Sequence, residues 1–149
     1  MIGRFLLKPE ENSAPKFLSE AFDKGNQLQD ILTGNFETGK TGNKILLESL
    51  EGAKNEGLKP MIYTHPLGLY GHSSGTTIGM WDSQEGVPGS GDYPLQENTV
   101  YAIELNTSVF LPEWDQEVRI MLEESGFWGA EDFRYVNGRQ EELLLISHK

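Results

Sequence analysis

The apolar residues follow two different periods along the chain. From Ser13 to Thr33 they are Phe17, Leu18, Ala21, Phe22, Leu28, Ile31 and Leu32, a spacing that puts them on one stripe of a helix. Asn12 or Ser13 is placed to cap that helix. Pro15 is tolerated in the first turn, where a missing N–H costs nothing. Gly25 weakens the middle, and Gly34 stands where the helix should stop. A second helix is predicted from Gly42 to Glu56, with Thr41 as N-cap, Ile45, Leu46, Leu50 and Ala53 as inner stripe, and Gly57 as the closing residue.

After these helices the pattern becomes that of strands. Met61 to Thr64 is a short one, and Thr76 to Trp81 reads as another. From Thr99 to Leu105 the side chains alternate, with Val100, Ala102 and Glu104 on one face and Tyr101, Ile103 and Leu105 on the other. From Glu117 to Glu123, Val118, Ile120 and Leu122 face one way, and Glu117, Arg119, Met121 and Glu123 the opposite way. Phe127-Trp128 and Glu142 to Ile146 supply further edges, with Asn137-Gly138 a hairpin-type turn between them. The opening stretch, with Ile2, Phe5, Leu6 and Leu7, reads as a short strand or an arm that leans on another element. Asp82 to Asp92, with Gly86, Pro88, Gly89 and Gly91, reads as an exposed excursion, and loops of this length tend to be functional or mobile. The expected fold class is α+β, with two packed helices on one face of a curved, mainly antiparallel sheet.

Composition narrows the function classes. A chain of 149 residues has room for one domain, 1–149, with a real core. There is no cysteine, so disulfides, thiolate catalysis and sulfur-ligated zinc are excluded. The formal charge is −11, which repels phosphate backbones and anionic lipid and makes nucleic acid and membranes poor partners. No stretch approaches a membrane span, so a soluble protein is expected. No secretory signal is present, an absence that says little if the chain is a piece of a longer protein with its address upstream, and the cytoplasm is the expected compartment.

Candidate chemistry is sparse. Glu104 shares a strand face with Val100 and Ala102, and a carboxylate there needs a cation, a set of hydrogen bonds, or exposure on an edge. His72 stands among Gly71, Ser73, Ser74 and Gly75, on a backbone that can bring an imidazole close to a ligand; it is a candidate metal ligand or a loop histidine. His65 precedes Pro66 and reads as a packing residue. His148 lies beside the C-terminus, where order is expected to be lost. Gly39-Lys40-Thr41 is no phosphate loop, since neither a strand nor the required earlier glycine precedes it. No serine sits in a Gly-x-Ser-x-Gly elbow.

Taken in order, the two helices, Gly71-His72-Ser73-Ser74-Gly75, Tyr101-Ala102-Ile103-Glu104 and Val118-Arg119-Ile120 resemble the C-terminal half of the pita-bread hydrolases. This family comprises methionine aminopeptidase, Xaa-Pro aminopeptidase, prolidase and creatinase relatives, and the resemblance runs from about Phe5 to Ile146. It implies half of a pita-bread fold, and a parent enzyme in which five side chains hold two divalent ions, Mn, Co or Zn, that cleave a peptide substrate. His72 matches the family's histidine ligand. Glu104 matches a glutamate that is both ligand and, in some accounts, general base.

The sequence also departs from that pattern. Met121 stands where the family has a bridging glutamate, and a thioether is a poor bridge between hard cations. Glu123 shares the face of Met121 but lies ~6.6 Å further along the strand, which makes it a weak reserve ligand. The family's second histidine is missing from the region of Gly79 and Trp81, and its two aspartate ligands belong to an N-terminal half that nothing before Ser13 supplies. Two readings follow from the resemblance. One is the C-terminal catalytic portion of a Xaa-Pro aminopeptidase-like metallopeptidase, inactive as this chain alone. The other is a metal-free pita-bread relative that binds a peptide or protein. A lone half would leave one face uncovered, so a homodimer through that face is expected.

Overall fold

The computed structural model describes residues 3–129 and 131–147, so the expectations for Ile2 and His148 lie outside the described residues. The element order is β1 (Arg4–Leu6), α1 (Lys16–Gly34), α2 (Gly42–Asn55), β2 (Pro60–Ile62), β3 (His65–Gly68), β4 (Gly71–His72), β5 (Thr99–Leu111), β6 (Gln116–Trp128), β7 (Phe133–Tyr135) and β8 (Leu144–Ile146). Strands run in the order β4-β3-β5-β6-β7, with β2 also paired to β5, and every pairing in this sheet is antiparallel. Both helices lie on one face, and the chain is α+β with two helices on an antiparallel sheet, as the periodicity predicts.

The alternation along β5 sorts its side chains as expected. Tyr101, Ile103 and Leu105 are fully buried and join Leu28 and Leu32 of α1, Ile45 and Leu46 of α2, and Leu122 of β6 in one core. Gly25 has a packing role: a Cβ there would stand 2.7 Å from Ile120 Cγ2 and 2.8 Å from Leu122 Cδ1. The helix therefore gives up propensity in its middle so that α1 can lie close against β6.

Several boundaries differ from expectation. The β5–β6 ribbon is longer, pairing without interruption from Thr99↔Trp128 to Leu111↔Gln116. Helix α1 starts at Lys16 with Pro15 at the N-cap and no side-chain cap, so neither Asn12 nor Ser13 performs that role. Thr41 does cap α2, its Oγ1 accepting from the Lys44 N–H at 3.2 Å. Thr76 to Trp81 is not a strand: Ile78 bridges only to Thr64 and Met80 only to Ser83. Gly79 interrupts the extended run with φ of 75°, a value L side chains rarely adopt. Asn137-Gly138 does not join a hairpin. The chain leaves the sheet there, and β8 pairs in parallel with β1, which supplies the element on which the opening arm leans.

Tyr101 offers a test of how firmly the core is closed. Its ring meets Phe36 edge-on at 5.5 Å, and burial pushes the phenol up to about 12, opposed by a hydrogen bond with Thr76. An unfolded tyrosine ionises near pH 10. Between these values the unfolded chain has lost a proton that the folded chain retains, so stability falls as pH rises. The contribution is intact below about pH 10, and up to about 3 kcal/mol is lost by about pH 12. Tyr63 and Tyr135 are shifted the same way, chiefly by burial, so the informative quantity is a difference. Urea titrations from neutral to alkaline pH should show a shallower loss in Tyr101→Phe than in the wild type; equal slopes would place the Tyr101 hydroxyl in a solvated environment.

Candidate functional site

The face of the sheet turned away from the helices carries the polar side chains. The turn at Leu69-Tyr70 reverses the chain so that Leu67 pairs with His72. His72 then falls beside His65, two residues back on β3 and on the same face. Their rings stack at 4.0 Å between centroids, 11° from parallel. Strand β3 lies against β5 with His65 opposite Ala102, which makes Glu104 its diagonal neighbour. His65 Nε2 is 3.7 Å from Glu104 Oε2. Across the next ladder Glu104 pairs with Glu123, Asn106 with Met121 and Ser108 with Arg119, all on this face.

The backbone of Glu104 is fixed by one hydroxyl. Thr64 Oγ1, fully buried, donates to the Glu104 carbonyl oxygen and accepts from the Glu104 N–H, both at 3.1 Å. Thr64 also exchanges backbone hydrogen bonds with Ile78, which fastens the following loop over the sheet. Gln84 secures that loop a second time: its amide donates to the carbonyl oxygens of Ile62 and Met80, and its Oε1 accepts from the Ile62 N–H. Asn43 of α2 holds the loop's far side through the N–H and carbonyl of Val87 and through Asp92. The excursion from Asp82 to Asp92 is thus tied at both ends.

Together these elements enclose a cleft of about 810 Å³. Its polar lining includes His65, His72, Glu104, Asn106 and Arg119, and its apolar lining includes Met61, Met80, Met121 and Trp81. Tyr63 also lines it and accepts from the Asn106 amide at 3.2 Å. Burial raises the Glu104 carboxyl above its usual range and the Glu123 carboxylate raises it further, while His65 and His72 act in the opposite sense.

Of the residues singled out in the sequence, His72 and Glu104 do line one cleft. Glu123 is an exposed residue in direct register with Glu104, yet it is not among the residues lining the cleft. His65, read from sequence as a packing residue, is the imidazole nearest Glu104. The signal for it was its seven-residue separation from His72 across a glycine-rich turn, which a hairpin converts into adjacency. The donor set present does not fit a two-metal centre. Among the described residues no group of three His, Asp or Glu side chains gathers to hold an ion. The lone pair of an imidazole lies in its ring plane, so two parallel rings 4.0 Å apart cannot both aim at one ion. Met121, opposite Asn106, offers a soft thioether where a hard cation needs oxygen.

No protein-family description matches the sequence, and no curated protein does. Solved structures do match. The X-Pro aminopeptidase from Thermotoga maritima superposes with a TM-score of 0.64 at 17% identity, over 91% of this chain and 35% of that one. A Xaa-Pro dipeptidase from Bacillus anthracis gives 0.58 at 16% identity, again over 91% and 35%. The N-terminal domain of the FACT complex subunit SPT16 from Cicer arietinum gives 0.61 at 13% identity, over 87% and 31%. This chain therefore has the fold of part of a pita-bread protein, and it spans about a third of the length of these neighbours.

Proposed function

We propose that the chain is the C-terminal portion of a Xaa-Pro aminopeptidase-like pita-bread protein that holds a peptide in this cleft, and that by itself it binds without hydrolysing. The observation that carries this reading is the convergence of His65, His72, Glu104 and Arg119 on one wall of an open cleft, in the fold of peptidases. A cleft with a few convergent polar groups among apolar ones is the ordinary form of a ligand site. In a longer parent, His72 and Glu104 would be ligands to divalent ions, with Glu123 in reserve, and the missing donors would come from elsewhere in that protein.

The metal-free alternative has its own support. Met121 occupies the cleft wall where the resemblance requires a carboxylate, and one neighbour sharing this fold is titled as a subunit of the FACT complex, not as a peptidase. Calorimetric titration with Mn, Co and Zn separates the two readings. The metallopeptidase reading expects tight binding that is lost in His72→Ala. The binding-module reading expects no saturable uptake by either protein.

A further inference from the structure

The outer edge of β6 is open along most of its length. Strand β7 pairs only with Gly126 to Trp128, and one further bond runs from the Val136 N–H to the Ser125 carbonyl oxygen. Among the described residues no strand pairs with the outer side of Gln116 to Glu124. A groove of about 320 Å³ separates this edge from β1, lined by the four consecutive residues Val118 to Met121 on one side and by Gly3 to Phe5 on the other. Consecutive side chains of a strand point to opposite faces, so a groove touched by all four opens onto the edge itself. The backbone groups of such an edge are a template for another strand.

Self-pairing of β6 is restricted to a few registers. An antiparallel copy keeps every side chain on its own face only if the two-fold axis sets one residue against its own copy. With Glu117, Arg119, Glu123 or Glu124 at the axis, like charges stand directly opposite, which is destabilising. With Ile120 there, Glu117 faces Glu123, and with Leu122 there, Ile120 faces Glu124. With Val118 there, Arg119 meets Glu117, but only Gln116 to Ile120 engage within the strand. With Met121 at the axis the open edge pairs from Val118 to Glu124, Arg119 opposite the partner's Glu123 and Ile120 opposite its Leu122, each twice. The backbone groups of Met121 point outward, because those of Ser125, four residues on, do so, and the central pair is therefore of the hydrogen-bonded kind.

We propose that this edge is a self-association surface: two copies join β6 to β6 antiparallel about a two-fold axis at Met121, and the sheet continues from one protomer into the other. The axis stands normal to the sheet, so both clefts open on the same side. Met121 lines the cleft as well as the groove, and its pair forms the wall between the two clefts. The sequence leads to a homodimer through an uncovered face; the open feature is an edge. The inference uses only that edge and stands apart from the peptide-binding reading.

Sedimentation equilibrium of the full chain tests it, and the wild type should be a dimer at micromolar concentration. Arg119→Glu should raise the dissociation constant at least about tenfold, because glutamate would then face Glu123 on both sides of the axis. The swap Arg119→Glu/Glu123→Arg, at two exposed positions, should restore the dimer. The chain has no cysteine, so Met121→Cys places a single thiol at the axis, where a hydrogen-bonded pair has Cα atoms about 5.5 Å apart, a separation suited to a disulfide. That variant should cross-link on mild oxidation, and Phe110→Cys, exposed on β5, should not. A monomeric wild type overturns the proposal and leaves the edge to a strand of another protein. A dimer indifferent to Arg119→Glu, a swap that stays monomeric, or equal cross-linking through Phe110→Cys also overturns it, since each assigns association to another surface or register.

Discussion

Replacing Gly79 with alanine should cost about 3–5 kcal/mol and open the cleft, through a left-handed backbone strain and a steric overlap acting together. Gly79 has φ of 75°, and a Cβ on it would stand 2.2 Å from the Ile62 carbonyl oxygen and 2.8 Å from Leu46 Cδ1. The carbonyl cannot move aside cheaply, because it accepts from Gln84 Nε2 at 2.7 Å and belongs to the β2 strand paired with β5. The loop would have to yield, and with it the Thr64–Ile78 bridge that braces Glu104. Gly57→Ala, just past the end of α2, is the control, since its φ of 76° is comparable and nothing stands within 4 Å of the added methyl. Backbone strain alone should cost that variant about 1 kcal/mol. Urea midpoints should therefore fall far more for Gly79→Ala than for Gly57→Ala. Similar midpoints would mean that the close approach to Ile62 is not needed.

The fold was largely legible because its strongest signals are periodic. The stripe ending at Leu28, Ile31 and Leu32 and the alternation through Tyr101, Ile103 and Leu105 each have one geometry that buries them, and those side chains form the core. Thr76 to Trp81 misled for a local reason: Ile78 alternates like a strand residue, but the positive φ at Gly79 ends pairing after one bridge. Partner choice was less accessible still. Nothing in Leu144-Leu145-Ile146 says that it pairs in parallel with Arg4-Phe5-Leu6 and not beside β7, because an apolar edge strand carries no mark of its neighbour.

The site was half legible. A glutamate interrupting an apolar strand and a histidine among glycines were conspicuous, and both reach the cleft. His65 was obscured because Pro66 suggested only an extended backbone. Its role depends on two registers, Leu67 with His72 and His65 with Ala102, which a single sequence does not state. The methionine wall was hidden for the same reason: positions 61, 80 and 121 are distant in sequence and meet only once β2, the loop after Ile78 and β6 are assembled.

The second large effect concerns catalysis. Incubated with Mn, Co or Zn, this chain should turn over no Xaa-Pro dipeptide above background, although enzymes accelerate such reactions by about 10⁶-fold or more. Amide hydrolysis needs an activated water and a stabilised charge on the carbonyl oxygen, and general-base help contributes only about 10²–10⁴ of the acceleration. The Glu104–His65 pair has groups suited to that smaller share. The larger share falls to charge stabilisation, for which the resemblance implies five hard donors around two ions. Here the donors that meet are one carboxylate and one imidazole, the second imidazole is stacked flat against the first, and a thioether replaces an oxygen. Met121→Glu should not restore activity either, since the two aspartates of the resemblance would still be lacking. Hydrolysis of an Ala-Pro substrate by the wild-type chain, abolished by a chelator and returned by metal, would show that these residues do assemble a competent centre and would return the enzymatic reading to this chain alone.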